Sequence, residues 1–389
     1  MIIGIIGGPN KGKSTLFSAI TTIDVNIANY PFTTIKPNLG VGYASKQCVE
    51  KELGVKCTPR NSLCKDGTRL IPVNVIDVAG LVPGAHMGKG MGNQFLNDLM
   101  AADVLLQVVD ASCKTDANGN NVEYSDPAEE ILMVRDEISR WLAGILMRQM
   151  QKISKRSDGV SALCDVLSSF GIKKEQIEKS LQKASLVSSS INWGEDDAMA
   201  FASEVLKESK PMLVVANKID RAKEGVLDDI AKKIGNVNVI GCSAAIELAL
   251  RKAENAKDIE YAPGSRSLKV IGEVSAEKAN ALKYMSGFLE KSGTGVQEAI
   301  NYAVFGIMQK LTIYPVEDEN KYTDHSGKIL PDVFLIDKGS KAVSLAEKIH
   351  SSIAKNMLYA IDAKRKMRVA KDYELRDDDV IKIVSSAKS

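Results

Sequence analysis

Residues 7–15 read GGPNKGKST and follow directly on the apolar run of residues 1–6, MIIGII. Gly7, Gly12, Lys13 and Ser14 meet the phosphate-loop pattern G-x-x-x-x-G-K-[ST], and residues 16–20, LFSAI, are typical of a helix. In such a loop the backbone N–H groups enclose a β-phosphate, the lysine reaches the β- and γ-phosphate oxygens, and the serine hydroxyl binds Mg²⁺. A plain glycine turn is the alternative, but it does not account for the further motifs downstream. The stretch predicts a nucleoside-triphosphate site.

The predicted nucleotide contacts cover the second half of this loop. They are Asn10, Lys11, Gly12, Lys13, Ser14 and Thr15.

Length and composition set the class of protein. The chain has 389 residues, with 44% hydrophobic and 26% charged residues, which is ordinary for a soluble protein of two or three domains. The formal net charge of +2 means that any affinity for nucleic acid must come from local patches. No apolar run approaches the roughly 18 residues of a membrane span, and no basic region precedes the N-terminal run. We therefore expect a cytoplasmic protein.

Two further segments carry the residue types that a magnesium ion and a γ-phosphate require. Residues 71–80, IPVNVIDVAG, read as a strand ending in D-x-x-G, which places Asp77 to reach Mg²⁺ through water and Gly80 to meet the γ-phosphate. Residues 29–40, NYPFTTIKPNLG, supply Thr34, which we prefer over Thr33 to complete the magnesium shell. On its own this second segment would be a proline-rich loop. The predicted magnesium residues are Ser14, Thr34 and Asp77.

A base-reading motif follows the next buried strand. Residues 211–220, PMLVVANKID, place Asn217, Lys218 and Asp220 at a strand end. The Asp220 carboxylate can accept from N1–H and the exocyclic amine of guanine, whereas adenine would leave it unpaired. Asn217 is expected at the opposite edge of the base, and the Lys218 stem over its ring. Ser243, Ala244 and Ala245 form a turn that can offer backbone N–H groups to the guanine O6. Together the motifs predict an α/β, GTP-hydrolysing P-loop domain with a mostly parallel sheet.

The strings NYPFTTIKPNLG, DVAGLVPGAHMGKGMGNQF and a helical insertion before NKID resemble the Obg-like GTPases, and in particular the archaeal form of the YchF branch. The resemblance covers nearly the whole chain, because the last 80 or so residues are similar to the TGS domain that ends YchF proteins. It implies GTP or GDP and Mg²⁺ as ligands. Bacterial and animal members of the branch have a degraded base-reading motif and prefer ATP. This chain keeps residues 217–220 intact, so we do not extend their preference to it.

The resemblance also bears on catalysis. Leu81 stands where Ras-type enzymes carry the glutamine that orients the attacking water, so backbone groups, a later residue or an ion must replace it. Asn10 is similar to the asparagine that helps to hold K⁺ in potassium-activated relatives. His86 is a candidate for positioning water, and its alternative is a solvated histidine of a switch loop. The predicted catalytic residues are Asn10, Lys13, Thr34, Gly80 and His86.

The domain organisation follows from the segments between the motifs. We assign residues 1–125 and 207–309 to the GTPase domain with its C-terminal helices, and 126–206 to a helical, coiled-coil-like insertion. Asp126 and Pro127 begin a long helix, and the residues 173–186 predict a returning or accessory helix. The long helix has an apolar stripe at alternating steps of three and four residues, which predicts packing against another helix. The stripe consists of Ile131, Val134, Ile138, Trp141 and Ile145.

Residues 310–389 predict a TGS-like β-grasp domain, with strands at 312–316, 332–336 and 380–384 and a helix at 344–358. Two basic clusters are candidates for contact with a ribosome or structured RNA. The denser cluster is Lys364, Arg365, Lys366, Arg368 and Lys371. The tip of the helical insertion adds Arg148, Lys152, Lys155 and Arg156. The alternatives are a solvated loop for the first cluster and a structural strut for the helical arm.

An insertion at residues 46–69 carries Cys48, Cys57 and Cys64. A zinc site needs a fourth ligand, and the chain has only three histidines, His86, His325 and His350. We therefore expect free thiols, or one disulfide of the kind found in hyperthermophiles, rather than zinc.

Three classes of function remain. The favoured class is a monomeric regulatory GTPase of slow turnover, assisted by potassium, that acts on the ribosome or RNA. A metabolic enzyme driven by GTP would need additional acid–base or nucleophilic residues, and we find no such constellation. A stress or interaction scaffold with little turnover would not need every phosphate, magnesium and guanine position to be filled.

Overall fold

The computed structural model describes residues 1–22, 38–78, 84, 98–187, 191–235 and 237–386. These residues divide between two compact units. The first contains residues 1–22 and 38–40 and the described part of 74–299, so it includes the helical insertion. The second contains residues 41–73 and 300–386, which groups the cysteine-containing segment with the C-terminal module.

A seven-stranded sheet carries the predicted nucleotide motifs. Its strand order is β2-β4-β1-β5-β6-β7, with β3 paired to β4. The pairs β1–β4, β1–β5, β5–β6 and β6–β7 are parallel, which confirms the predicted mostly parallel sheet. β5 is buried at every position, as expected for a parallel strand covered on both faces. The strands are β1 (Ile2–Ile6), β2 (Leu39–Gln47), β3 (Leu63–Lys65), β4 (Thr68–Asp77), β5 (Val104–Asp110), β6 (Met212–Asn217) and β7 (Val239–Cys242).

The helices of the described chain have the following bounds. They are α1 (Lys13–Thr21), α2 (Glu50–Leu53), α3 (Pro127–Ile153), α4 (Gly159–Leu167), α5 (Lys174–Lys183), α6 (Glu195–Ser209), α7 (Val226–Lys233), α8 (Ala244–Asn255), α9 (Ala276–Ser292), α10 (Val296–Asn301), α11 (Ala342–Ile349) and α12 (Ser351–Lys355). Short 3₁₀ turns lie at Ser168–Phe170 and Ile219–Arg221, and a π-helical turn follows α10 at Tyr302–Ile307. None of these helices combines the length and apolar character needed to cross a membrane.

The helical insertion is a bundle of α3 to α6 around a shared apolar core. The α3 start is as predicted, because Asp126 accepts from the Ala128 N–H at 3.0 Å and Pro127 is the first helical residue. The buried stripe differs beyond Ile138, where it continues through Leu142 and Leu146.

Trp141 and Ile145, which the sequence placed on the stripe, are only half-buried. A straight α-helix has 3.6 residues per turn, so its buried face drifts away from a 3.5-residue repeat. The insertion is therefore packed as a globular bundle rather than as a two-helix coiled coil.

The C-terminal module is a five-stranded sheet of order β11-β10-β14-β12-β13. β10 and β14 are parallel, and the other neighbours are antiparallel. The single helix predicted at 344–358 is two helices, α11 and α12, because His350 is extended (φ −167°, ψ 138°) and its ring accepts from the Ser352 N–H. Leu358 lies instead in a strand that the sequence prediction missed. The strand bounds, with the small β8–β9 ribbon of the first unit, are β8 (Ile259–Glu260), β9 (Lys269–Val270), β10 (Lys310–Val316), β11 (Phe334–Asp337), β12 (Met357–Asp362), β13 (Met367–Val369) and β14 (Asp379–Ser385).

Candidate nucleotide site

Parallel strands bring their carboxyl ends to one edge of the sheet, and this edge collects the predicted motifs. β1 ends just before the phosphate loop, and β4 ends at Asp77. β6 ends at Asn217, and β7 ends one residue before Ser243. Segments separated by more than 200 residues in the chain are therefore neighbours at this edge, which we call the nucleotide edge.

Gly12 closes the phosphate loop and begins α1. Its φ of 88° lies in the left-handed region, and an added Cβ would stand 2.3 Å from Nδ2 of Asn217. Only glycine meets both constraints. The next residue, Lys13, donates from Nζ to the Gly8 carbonyl at 2.8 Å. Burial lowers the pKa of Lys13, while the charges of Asp77 and Glu130 oppose that shift.

The structure brings two predicted magnesium residues together. Ser14 Oγ donates to Asp77 Oδ2 at 2.9 Å, although 63 positions separate the two residues. Mg²⁺ takes oxygen ligands, and a hydroxyl and a carboxylate both supply one, so this pair fits the ion. Thr34, Gly80 and His86 lie outside the described residues.

Asn217 connects the base-reading motif to the phosphate loop. Its Nδ2 donates to the Lys11 carbonyl at 2.9 Å, and its Oδ1 accepts from the Ala244 N–H at 3.1 Å. The residue is only 3% exposed. Since an amide nitrogen carries two donor hydrogens, one remains for a base edge. Through these two hydrogen bonds Asn217 connects the end of β6 to the phosphate loop and to the start of α8.

Ser243 orients the acidic residue of the motif. Its hydroxyl donates to Asp220 Oδ1 at 2.6 Å, and its backbone N–H donates to the Thr294 carbonyl. The N–H of Ala244 already donates to Asn217, so Ala245, exposed in the first turn of α8, is the remaining member of the predicted turn. First-turn N–H groups have no acceptor within their own helix. We therefore expect the backbone N–H of Ala245 to be the one that can donate to the guanine O6.

Lys218 lies across the phosphate loop in a left-handed conformation with φ of 62°. Its Nζ donates to the Asn10 carbonyl at 3.0 Å and to Asp110 Oδ2 at 2.9 Å. Burial raises the pKa of Asp110, but hydrogen bonds from Ser112, Thr115 and Lys218 outweigh it and lower the pKa overall. The sequence analysis missed Asp110, although its place at the end of β5 was a usable signal.

A buried ion pair supports the loop from below. Lys11 Nζ stands 2.5 Å from Glu130 Oε2, and the two side chains are 1% and 3% exposed. Glu130 also accepts from the Gly8 N–H at 3.3 Å, so α3 is tied to the phosphate loop. The Lys11 ammonium therefore points into the protein. Of Lys11, which was predicted to contact the nucleotide, only the backbone can face a phosphate. Glu130 was also missed, and its place directly before Ile131, the first residue of the apolar stripe, was the available signal.

Asn10, the predicted potassium residue, has a left-handed φ of 59°. Its Nδ2 donates to the Gly119 carbonyl at 2.8 Å. The amide group is thereby oriented, and Oδ1 is the side-chain atom that a cation would use.

Three family models match the chain. They are the 50S ribosome-binding GTPase over residues 2–143, the Obg-like GTPase YGR210-like, G4 motif-containing domain over 215–318, and the TGS domain over 322–385. An uncharacterized GTP-binding protein of Methanocaldococcus jannaschii is 47% identical over 393 residues, which covers 100% of both chains. The chain belongs to the Obg-like GTP-binding proteins of the YchF branch.

Two further comparisons locate this Obg-like protein within its branch. The crystal structure of a GTP-binding protein from Pyrococcus horikoshii has a TM-score of 0.81 and 37% identity, with 99% of this chain and 100% of that one covered. The ribosome-binding ATPase YchF of Bacillus subtilis is 28% identical over 373 residues, 92% of this chain and 87% of its own. The fold and the TGS domain predicted from the sequence are therefore confirmed.

Proposed function

We propose that this Obg-like protein binds GTP with Mg²⁺, hydrolyses it slowly to GDP and phosphate, and switches its affinity for the ribosome or structured RNA with the bound nucleotide. The observation that carries the proposal is the convergence at the nucleotide edge. The phosphate loop, Asp77, Asn217 and the pair Asp220–Ser243 meet there through hydrogen bonds between distant segments.

The base-reading geometry favours guanine over adenine. Ser243 holds Oδ1 of Asp220, so the carboxylate is oriented before any base arrives. Guanine offers this carboxylate two donors, whereas adenine presents a lone pair at N1. A site built on such pairing discriminates by about 10⁴ or more. The relatives named as ATPases therefore do not determine the base for this chain, whose motif is complete.

For hydrolysis, Ser14, Thr34 and Asp77 are the residues that would hold Mg²⁺, which supplies charge neutralisation between the phosphates when bound. Lys13 and the backbone of the phosphate loop bind the phosphate oxygens, and Gly80 senses the γ-phosphate. Leu81 has no polar group to orient water, so intrinsic turnover should be slow.

Potassium assistance rests on Asn10. The hydrogen bond to Gly119 orients its amide, so that Oδ1 can ligate a cation beside the phosphates. His86 is the alternative group for positioning the water.

The basic surface of the C-terminal module supports an RNA partner. Arg365, Lys366, Arg368 and Lys371 are exposed. The Arg368 guanidinium lies 3.7 Å from the ring centroid of Tyr359, and the Lys366 ammonium lies 4.6 Å from that of Tyr322, so cations and aromatic rings occur together as in single-strand RNA sites. Lys364 is the least exposed of the cluster, since its ammonium stands 2.6 Å from Glu52 and its side chain is 18% exposed, whereas the exposed Arg365 lies 3.5 Å from Asp362.

The tip of the helical insertion is a second basic surface. Arg148, Lys152 and Lys155 are exposed there, whereas Arg156 stands 2.7 Å from Asp165. The relatives named ribosome-binding support a ribosomal partner, which would place this monomer in the cytoplasm.

A turnover assay with purified ribosomal subunits tests the proposal. We expect slow GTP hydrolysis by the protein alone, faster hydrolysis in K⁺ than in Na⁺, and a further change in rate when subunits are added. Leu81→Ala should keep a substantial part of the activity, since an apolar side chain supplies no proton acceptor. Negligible turnover under every condition, with GTP still bound, would favour the interaction scaffold instead.

A further inference from the structure

The insertion of the second unit brings four metal-ligating groups to one point. Cys48 follows β2, Glu50 begins α2, Cys57 lies in the next loop and Cys64 is in β3. Their ligand atoms all lie within 4.8 Å of one another. We call these four residues the Cys₃Glu cluster. The fourth group is a carboxylate, which was not among the histidines weighed from the sequence as a fourth ligand.

Two separations within the cluster are close to those around a tetrahedral zinc ion, and the others do not exceed 4.8 Å. Ligands at about 2.3 Å for sulfur and about 2.1 Å for oxygen lie about 3.5–3.8 Å from one another in a tetrahedron. Cys48 Sγ and Cys57 Sγ are 4.0 Å apart, and Cys64 Sγ is 3.4 Å from Glu50 Oε1. A disulfide would need about 2.05 Å between sulfurs. All six cysteines of the chain are free thiols in this structure.

The surroundings prepare the carboxylate for the ion. The Cys57 N–H donates to Glu50 Oε2 at 2.8 Å, so the second oxygen is held and Oε1 faces Cys64. Such outer hydrogen bonds to a ligand are typical of protein metal sites. The Cys48 N–H is likewise fixed, by the Gly67 carbonyl at 2.8 Å.

Arg69 supplies compensating charge. Three thiolates and one carboxylate around a divalent ion leave a net charge of two negatives, since four negative ligands face two positive charges. Arg69 is fully buried and lies directly opposite Cys64 in the β3–β4 pair, so the two side chains share a face. Its Nε and Nη1 have no hydrogen-bond partner among the described residues. A buried guanidinium with free donors is costly unless negative charge lies beside it.

The local elements around the cluster are short, and they are supported by apolar packing of Cys48, Val49 and Cys57 within the second unit. α2 has four residues with none buried, and β3 has three. Isolated turns and hairpins of this size are marginal in water. An ion with four protein ligands would add cross-links between these short elements, as in other small metal-held modules.

We propose that Cys48, Glu50, Cys57 and Cys64 bind one structural Zn²⁺ ion. All four positions of the tetrahedron are filled by the protein, so the site is closed and serves to stabilise the insertion rather than to catalyse a reaction.

The test is the metal content of the full-length protein purified from zinc-supplemented cells without chelator. We expect about one zinc per chain, released by a thiol-specific mercurial. Cys57→Ser should lose the zinc, and Glu50→Gln, which keeps all three thiols, should weaken it about tenfold or more in competition with a chelator. Cys164→Ser, which changes a cysteine of α4, is the matched control and should keep it. Guanine-nucleotide binding reports that each variant is folded.

Replacement by Co²⁺ sharpens the assignment. The cobalt protein should show thiolate charge-transfer absorption and the d–d bands of tetrahedral coordination, and both should be lost in Cys57→Ser. Three results would overturn the proposal: no stoichiometric binding of zinc or cobalt to the reduced protein, retention of the metal in Cys57→Ser, or iron with the visible absorption of an iron–sulfur cluster. A Cys48–Cys57 disulfide that persists in the protein as purified would also overturn it.

Discussion

The nucleotide edge and the Cys₃Glu cluster are built in opposite ways. The nucleotide edge joins residues as far apart as Ser14 and Asp220, each positioned by the end of a buried strand or the start of a helix. The cluster gathers its ligands from 17 consecutive residues, 48–64, whose helix and strand are very short. The comparison teaches that a site is preorganised by the sheet in one case and, in our proposal, is completed by a bound ion in the other.

Metal removal should have the largest effect, and only on the cluster side. Structural zinc binding is worth about 10–16 kcal/mol in zinc-finger peptides, so a chelator selective for zinc over magnesium should unfold the insertion locally. The backbone amides of residues 48–65 should then lose their protection from hydrogen exchange, while the affinity for GDP, measured at constant free Mg²⁺, stays unchanged. Cys57→Ser should be unprotected with or without chelator. Protection that survives complete removal of the metal would contradict the comparison.

Base selection should show the next largest effect, on the nucleotide edge. We expect GTP to bind about 10⁴-fold more tightly than ATP, because Asp220 pairs with two guanine donors. Asp220→Asn should remove most of this preference. Competition with a fluorescent nucleotide, at constant Mg²⁺, measures both affinities. Asp228→Asn, an exposed acid in α7, is the control. Similar affinities of the wild type for ATP and GTP would refute the argument.

The support below the phosphate loop can be broken at Glu130. Glu130→Gln leaves Lys11 buried without its counter-charge, which should cost about 3–5 kcal/mol in the free energy of unfolding. Asp136→Asn breaks an exposed pair with Arg140 on the same helix and should cost less than about 1 kcal/mol. Urea unfolding compares the two variants. Equal losses would mean that burial of the Lys11–Glu130 pair has no special importance for the edge.

Potassium should act more weakly, through Asn10. Exchange of Na⁺ for K⁺ should raise the hydrolysis rate about tenfold, a small part of the 10³–10⁵ supplied by an arginine finger. Asn10→Ala should abolish the response, but it also strains a left-handed position. Asn10→Gly removes the same amide without that strain and should behave alike. Equal wild-type rates in the two salts would remove Asn10 from the mechanism.

The smallest effect concerns the basic surface of the second unit. Each cation that contacts an RNA phosphate should contribute a little less than one released counterion to the salt dependence of binding. The triple variant Arg365→Ala/Lys366→Ala/Arg368→Ala should therefore lower the slope for ribosomal subunits by about two to three. Lys364→Ala, whose ammonium already pairs with Glu52, should change it little. An unchanged slope in the triple variant would direct attention to the helical tip.

The sequence could predict which segments meet at the nucleotide edge, because parallel strand ends meet wherever the intervening chain runs. Ser14 and Asp77 could be paired from sequence, since each follows its strand at a fixed offset. Glu130 and Asp110 were missed because their partners, Lys11 and Lys218, depend on how α3 and β5 pack. In α3 the buried stripe departed from the heptad pattern for the same reason, since several helices cover it.

The sequence by itself determined the P-loop GTPase fold and the C-terminal TGS module, and it predicted which residues read the base. Local patterns encode these features, because strand burial, glycine turns and helix starts are decided within a few residues. Only the tertiary structure decided that Lys11 turns inward, that Ser243 orients Asp220, and that Glu50 joins three cysteines. Each of these depends on distances between side chains of different elements, and packing sets such distances.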